Sequence, residues 1–492
     1  MSTPALAALT PDAKRALLGS LLRRIAAGER VSASQPLSSV QRRLWFFDQL
    51  EPGTWFYNVP ATLALDGALD RDALERSLAE IVRRHESLRT TIPAAQDEPR
   101  QVIAAAGRFT LPVVDLTALD AADRDAEARR LAAEETLRPF ALATGPLFRA
   151  TLLRLAADRH VLLATAHHIV CDGLSVKVLL AELSALYAAF SAGRPSPLPE
   201  LPLQYADVAA AERQLLQGEG PRADAEYWKR TLAGAKPWLD LPVDRPRPAA
   251  QTFDGERQFG RISAAAAEQL RAIARTEGAT LFMTLLAAYA TLLFRYTDET
   301  DLVIGTPIAG RNREETERMI GCFVNMLPVR CDVSGDPPFV EVVRRVRDRA
   351  LGAYQHASLP FDRLVEEVHP VRDAGRAPVF QVVLNMGSYS DVWTTPAPGL
   401  AVRLLDLQHE PSMVDLTLYA TELADGIQLR AVYKTALFEA ATIAQLLRRF
   451  ETLVEAVCAD PHQRVSAVPL VGAEERSALA GAFAADLEEA QG

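Results

Sequence analysis

VLLATAHHIVCDGLSV, residues 161–176, changes its pattern midway. Val161 to Ala166 is an apolar run of the length expected for a buried strand. It delivers two adjacent histidines, His167 and His168, and then an Asp172-Gly173 pair. Beyond the pair, Leu174, Val178, Leu179, Leu183, Leu186 and Tyr187 recur at helical spacing up to Phe190. The histidines therefore fall where a strand ends and a helix begins. Backbone N–H groups are free there and polar side chains can converge.

Several chemistries fit that corner poorly. A Ser or Cys nucleophile needs a base and an orienting group. No G-x-S-x-G lies near, and the sequence leaves the direction of Cys171 open. Adjacent histidines at a strand end point to opposite faces, and no spacing suggests a third ligand, so no metal is expected. Dinucleotide and phosphate-loop glycine patterns are absent. What remains is an imidazole at a strand end, an Asp able to lock a loop by an ion pair, and a glycine that lets substrate approach the backbone. The set suits acyl transfer to a nucleophile carried by a second substrate. Taken alone, the stretch also fits a satisfied turn without chemistry.

Working outward, strand Phe148–Leu155 pairs with Val161–Ala166 across Ala157-Asp158-Arg159. A helix capped by Asp70 carries Leu74, Leu78, Ile81 and Val82, and a charged helix runs over Asp120–Leu137. A strand is expected near Phe109–Val114. Thr10-Pro11-Asp12 starts a further helix with Leu17, Leu18, Leu21, Leu22 and Ile25 on one face; packing on the body and docking of an upstream protein both fit it. The Pro-rich stretch Gly193–Pro202 divides the chain. The second half repeats the alternation, with strands Gln258–Ile262, Asp301–Pro307 and Val379–Met386, and a hairpin of Asp415–Glu422 and Gly426–Tyr433 turning at Asp425-Gly426. A long helix, Glu439–Cys458, closes it.

The expected organisation is an N-terminal helix, linker or docking segment over 1–35, a lobe over 36–192, a second lobe over 193–460, and a linker over 461–492. The chain's 492 residues provide ample core. A net charge of −10 without a Lys/Arg cluster argues against a nucleic-acid partner. The four cysteines form no CxxC, as expected of reduced thiols. No uninterrupted apolar run reaches the roughly 18 residues of a membrane span, and no signal-peptide pattern opens the chain. A cytoplasmic, monomeric, mixed α/β protein is expected.

HHIVCDG, residues 167–173, resembles the HHxxxDG signature of condensation domains of nonribosomal peptide synthetases. The resemblance continues in order along the chain. SSVQRRLWFFDQL (38–50) is similar to SxAQxRLWxLxQL, and RHESLRTTI (84–92) to RHExLRTxF. QYADVAAAE (204–212) is a weakened YxDYAxW. IGCFVNMLPVR (320–330) resembles IGxFVNTLPLR, HASLPFDRLVEEV (356–368) resembles HQDxPFExLVExL, and RAPVFQVVLN (376–385) completes the set. A bare HxxxD is shared by several acyltransferase families; the ordered series is specific.

The resemblance implies two chloramphenicol-acetyltransferase-like lobes forming a V-shaped pseudo-dimer around a central tunnel. Donor and acceptor carrier proteins would present thioesters on 4′-phosphopantetheine from opposite mouths, and the domain itself would bind no cofactor. His168 would act as base towards the acceptor α-amine or position it. Gly173 would leave room for the thioester and offer its N–H to the oxyanion. His167, Asp172 and Arg311 would be structural, with Arg311 the ion-pair partner of Asp172. Arg84, His85 and Arg89 would pack the lobe. Residues 306–313 would form a floor loop, and 388–399 a latch crossing between lobes.

Departures are Cys171 for Ser, Leu174 for Trp, Met326 for Thr, and Met413-Val414 for Lys-Phe, all bearing on substrate preference. LSVKVLL does not match the epimerase branch, and the heterocyclising branch replaces the histidines with Asp. A non-catalytic recruitment platform would be expected to show a damaged motif. With Met1 read as a native start, the donor would arrive in trans, as acyl-coenzyme A or on a carrier. Initiation of a lipopeptide and chain elongation then both fit. The tail would lead into an adenylation domain.

Overall fold

The computed structural model describes residues 34–93, 98–218, 220–311, 313–387, 399–405, 410–472 and 476. The helix expected from Thr10 and residues 388–398 of the expected latch lie outside them.

The first lobe holds strands β1 (Ser34–Pro36), β2 (Asn58–Gly67), β3 (Thr90–Thr91), β4 (Arg100–Ile103), β5 (Val113–Asp115), β6 (Phe148–Arg154) and β7 (Arg159–His167). Strand β7 lies mid-sheet, antiparallel to both β2 and β6. Leu162, Ala164 and Ala166 face a core shared with helices Arg71–Arg84 and Gly173–Ser191. Val161 and Leu163 face the other way, onto Ala128 and Ala132 of helix Ala121–Leu137. Burial on both faces explains an apolar run without alternation. Helix Gly173–Ser191 has the length and mean hydropathy, 1.5, of a membrane span. Leu179, Leu183, Leu186 and Tyr187 are instead buried in the lobe's core.

The second lobe holds β8 (Gly255–Ser263), β9 (Asp301–Ile308), β10 (Asn325–Asp332), β11 (Val382–Met386), β12 (Leu400–Leu404), β13 (Leu416–Leu423) and β14 (Gly426–Lys434). Its sheet runs β10-β9-β11-β13-β14-β8. Helices Ala264–Thr276, Leu281–Thr297, Phe339–Gln355 and Ala440–Ala459 bury Leu270, Tyr289, Phe339 and Phe450 against one face. Trp228, Phe361 and Leu364 cover the other.

Strand β12 leaves its own half and completes the first sheet, in the order β12-β2-β7-β6-β5. It pairs antiparallel with β2 from Leu400↔Gly67 to Leu404↔Leu63. The backbone donors and acceptors on that edge of β2 are thereby satisfied. Helix Tyr205–Leu216 likewise crosses the expected boundary and packs on β1. The small sheet β1-β4-β3 was not expected; its strands are too short to show an alternation. The first residues of the stretch expected as a linker, from 461, pack on the second lobe. Val465 and Val468 are fully buried in the second core, and Arg464 bridges to Pro338. The strand expected near 109–114 is reduced to β5.

Candidate active site

The corner after β7 is built mainly by backbone hydrogen bonds. The N–H of His167 donates to Leu147 O at 2.9 Å, and that of His168 to Tyr57 O at 2.8 Å. Val170 N–H returns to His167 O at 3.0 Å, which turns the chain. Asp172 then caps helix Gly173–Ser191, its Oδ1 accepting from Ser175 N–H at 2.7 Å. Gly173 is the first residue of that helix, so its N–H is one of the amides that helix geometry leaves without an intrahelical acceptor.

Each predicted residue has a definite place. His167 is buried between Tyr57 and Phe140. Its Nδ1 accepts from Ile169 N–H at 3.1 Å, so that nitrogen carries no hydrogen. Burial, and secondarily the charge of His168, push its pKa down to about 3. It is a neutral turn-former. His168 is only half-buried. Crowding protein holds its pKa below the usual imidazole value, with Asp172 pulling the other way and Arg43 adding to the depression. Its Nδ1 lies 3.4 Å from Cys322 Sγ.

Arg311 donates from Nη2 to Asp172 Oδ1 at 2.9 Å, with both side chains at most 5% exposed. The same nitrogen reaches Ser175 Oγ at 2.8 Å, and Nη1 donates to Thr316 O and Met319 O at 2.6 and 2.7 Å. The guanidinium lies 4.1 Å from the Phe323 ring centre. Phe323 N–H donates to Asp172 Oδ2 at 2.9 Å, so both carboxylate oxygens are satisfied. Deleting one partner of such a buried pair costs about 3–5 kcal/mol, because the other charge stays buried and uncompensated.

Arg311 and residues 313–323 of the second lobe therefore close over the corner of the first. Asp172 N–H donates to Gly321 O at 3.1 Å. Ser175 Oγ accepts from Gly321 N–H at 3.0 Å, and its single hydrogen is shared between Asp172 Oδ1 and Gly321 O. His85 joins the same seam: Ile320 N–H donates to its Nδ1 at 3.2 Å, while Nε2 contacts Glu182 at 3.0 Å. Arg84 pairs with Glu182 at 3.0 Å. Arg89 donates to the Val82 carbonyl at 3.0 Å.

Several contributors were not expected. Gln41 is fully buried and donates to Ile169 O at 3.2 Å, tying the 38–50 segment to the histidine turn. Tyr205 donates to Cys322 O at 2.6 Å, which leaves the Ser38 hydroxyl to donate to the Tyr205 oxygen at 2.7 Å. A Cβ on Gly321 would lie 2.2 Å from the Tyr205 ring, so only glycine fits there. Ser175 was detectable, because it falls at the third helical position after an Asp cap. Cys322 occupies a position that the IGxFVN pattern leaves open.

A separate cavity of about 350 Å³, lined by Phe282, Thr306, Tyr354, Met386 and Glu422 among others, opens at the ends of β9, β11 and β13; neither histidine lines it. Among the described residues, no group of three or more His, Cys, Asp or Glu side chains is placed to hold a metal ion.

Two lobes joined by a crossing strand, with a histidine corner of one closed over by the other, define the two-lobed chloramphenicol-acetyltransferase-like fold. The condensation-domain family model matches residues 31–480, and the chain belongs to that family. It is 43% identical over 446 residues to a linear gramicidin synthase of Brevibacillus parabrevis, and 43% identical over 444 residues to chondramide synthase of Chondromyces crocatus. Each match covers 90% of this chain, but only 9% and 11% of the respective relatives. The X-domain from teicoplanin biosynthesis, solved in complex with OxyB, matches with a TM-score of 0.82 at 32% identity, over 96% of this chain and 99% of that one. The starter condensation domain of rhizomide synthetase shares the fold, with a TM-score of 0.77 at 21% identity over 89% of this chain and 97% of that one. Condensation domains of peptide synthetases form amide bonds from carrier-bound substrates.

Proposed function

We propose that this domain transfers an acyl or peptidyl group from a donor thioester to the α-amine of an aminoacyl thioester held by a second carrier protein. The amine nitrogen attacks the thioester carbonyl carbon, the C–S bond breaks, and the amide forms as the donor phosphopantetheine leaves as a thiol. The amine loses one proton and the leaving sulfur gains one, so no external reagent is needed. His168 meets the amine as acceptor or base. Since a free α-amine has a pKa of about 8, much of the rate enhancement comes from holding it in line. Gly173 contributes its free N–H to the oxyanion. His167, Asp172 and Arg311 hold the corner in shape.

One observation carries this reading. His168 and Gly173 are the two half-buried members of an otherwise buried HHIVCDG corner, whose flanking polar groups are engaged with one another. Helix Ser39–Leu50 adds an apolar surface, with Phe46 and Leu50 55% and 60% exposed, suited to docking a carrier. An adenylation domain would supply the acceptor amino acid. The donor is read as carrier-bound, as in elongation, from the ordered motifs, which resemble the elongation type. A second reading, a recruitment platform without catalysis, is favoured by the X-domain neighbours at 32–34% identity; the whole HHIVCDG motif speaks against it.

The test offers an aminoacyl carrier as acceptor, with either carrier-bound acyl or acyl-coenzyme A as donor, and detects amide by intact mass. Product from the carrier-bound donor, lost in His168→Ala, supports elongation. Product from acyl-coenzyme A assigns initiation. No product with any donor returns the platform.

A further inference from the structure

Among the described residues, Cys322 is the side chain in hydrogen-bond contact with the His168 ring, its Sγ 3.4 Å from Nδ1. Hydrogen bonds on both sides of Cys322 fix its position. Its own carbonyl accepts from Tyr205, Gly321 before it is bonded through both N–H and C=O, and the Phe323 N–H after it is held by Asp172. Cys322 is 1% exposed, so its side chain is enclosed by protein. Burial, and then the nearby Asp172 carboxylate, push the thiol pKa well above its usual value. It stays a neutral thiol, and a thiol without thiolate character does not attack a neighbouring thioester. A neutral sulfur beside a ring nitrogen is a weak acceptor as well as a weak donor.

The proposed role of His168 settles which one it takes. An imidazole that accepts the amine's hydrogen through Nε2 carries its own hydrogen on Nδ1, so the sulfur 3.4 Å away faces that N–H as its acceptor. We infer that Cys322 is a positioning residue: its thiol sulfur, in contact with Nδ1, holds His168 in the Nδ1–H form and turns the Nε2 lone pair towards the substrate amine. The inference deepens the reading of His168 as the residue that meets the amine, and it rests on that reading. It makes His168 an acceptor of the amine's hydrogen, never a donor to it.

Nitrogen NMR of the full chain labelled with 15N-histidine reads the tautomer directly, with the His168 signal assigned by its loss in His168→Ala. The expected wild-type signal is the Nδ1–H form; an Nε2–H form overturns the inference without any variant being needed. Cys322→Ala is expected to mix the tautomers and to lower kcat about fivefold, the weight of one modest hydrogen bond, with KM for either carrier unchanged. Cys322→Ser, whose hydroxyl oxygen also accepts, is expected to restore the tautomer and most of kcat. A folded Cys322→Ala variant with unaltered tautomer and kcat overturns the inference, as does a folded Cys322→Ser variant that behaves like Ala. If wild type forms no amide, the functional reading falls, while the tautomer measurement still decides the positioning.

Discussion

Strand β7 runs out at His167 and strand β14 at Lys434, and the chain then does the same thing in both places. Each strand spans nine residues, is antiparallel to a hairpin partner on one side and to the first long strand of its lobe on the other. The terminal residues occupy matching register positions, His167 opposite Asn58 and Lys434 opposite Gly255. A turn follows in which the third residue's N–H returns to the strand's last carbonyl, Val170 to His167 and Leu437 to Lys434, both at 3.0 Å. A helix then starts after an acidic N-cap, Asp172 in one lobe and Glu439 in the other. HHIVCDG thus aligns with KTALFEA, residue for residue, with Thr435 in the place of His168.

What differs is the cover. Residues 313–323 of the second lobe lie on the β7 corner, and Arg311 meets Asp172 there in a buried, four-cornered network. At the β14 corner Glu439 makes no side-chain cap bond and meets Arg245 at 3.5 Å, with both side chains about half exposed. A glutamate is one methylene too long to cap as Asp does. The scaffold is present twice; the proposed site lies where the other lobe closes over it and takes water away from the ion pair.

The largest contrast is expected in turnover. His168→Ala should lower the rate of amide formation by roughly 10²–10⁴-fold, the usual weight of a positioned acid–base group, whereas Thr435→Ala should leave it unchanged. Intact-mass assays of carrier-bound product under matched loading check both. Loss of activity in Thr435→Ala would break the comparison by giving the second corner a part in catalysis.

Stability should follow burial. Arg311→Ala is expected to cost about 3–5 kcal/mol, and Glu439→Ala less than about 1 kcal/mol because water screens its pair. Urea unfolding of the two variants against wild type measures the difference. Equal costs would mean that the cover contributes nothing to the ion pair.

Much of the β7 corner was legible because its signals are local. An apolar run marks a strand buried on both faces, Asp172 precedes a helical pattern, and alternation along a strand end separates the faces of His167 and His168. The second half's hairpin was legible by the same logic. The rest depends on what packs on what. Cys322 lies 154 positions from His168 along the chain, and no local pattern reports that contact. Strand β12 reads as an ordinary short strand, and nothing in Leu400–Leu404 says that its partner is β2 of the other lobe. The equivalence of the two corners was equally hidden, since KTALFEA shares no side chain with HHIVCDG and only the register aligns them.

Acid should separate the corners next. His167 has a folded pKa of about 3 against 6.5 unfolded. Between these values the unfolded chain binds more protons, so stability falls as pH drops from 6.5 towards 3. Over the range from pH 6.5 to 4 this one group accounts for about 2–3 kcal/mol. His167→Asn keeps an oxygen near Nδ1 to accept from Ile169 N–H but cannot titrate. Its stability difference between pH 7 and pH 4 should therefore be smaller than that of wild type, as read by urea unfolding at each pH. An equal acid slope would mean that His167 takes up its proton without unfolding.

Lys434 offers the smallest and most discriminating test. It stands where His167 stands, 2% exposed, with no hydrogen-bond partner on Nζ among the described residues. The carboxylate that acts on it, Asp415, is already held by Arg247 in two bonds of 2.9 and 2.6 Å, and the ammonium lies 5.9 Å from the Phe253 ring centre. Burial lowers its pKa from 10.5, with Asp415 opposing and Arg247 reinforcing the shift. Below the folded pKa both states are protonated and the full penalty is present. As pH rises through the folded pKa towards 10.5, the unfolded chain binds more protons and stability recovers. Lys434→Met keeps the length and removes the charge, so it should stabilise the chain at neutral pH by about 1 kcal/mol. The advantage should shrink when unfolding is repeated near pH 10. A gain at neutral pH that closes in alkali would mark Lys434 as a tolerated polar residue in a corner that needs none. A loss would mean that its ammonium is satisfied, and that both corners require a polar group where the strand ends.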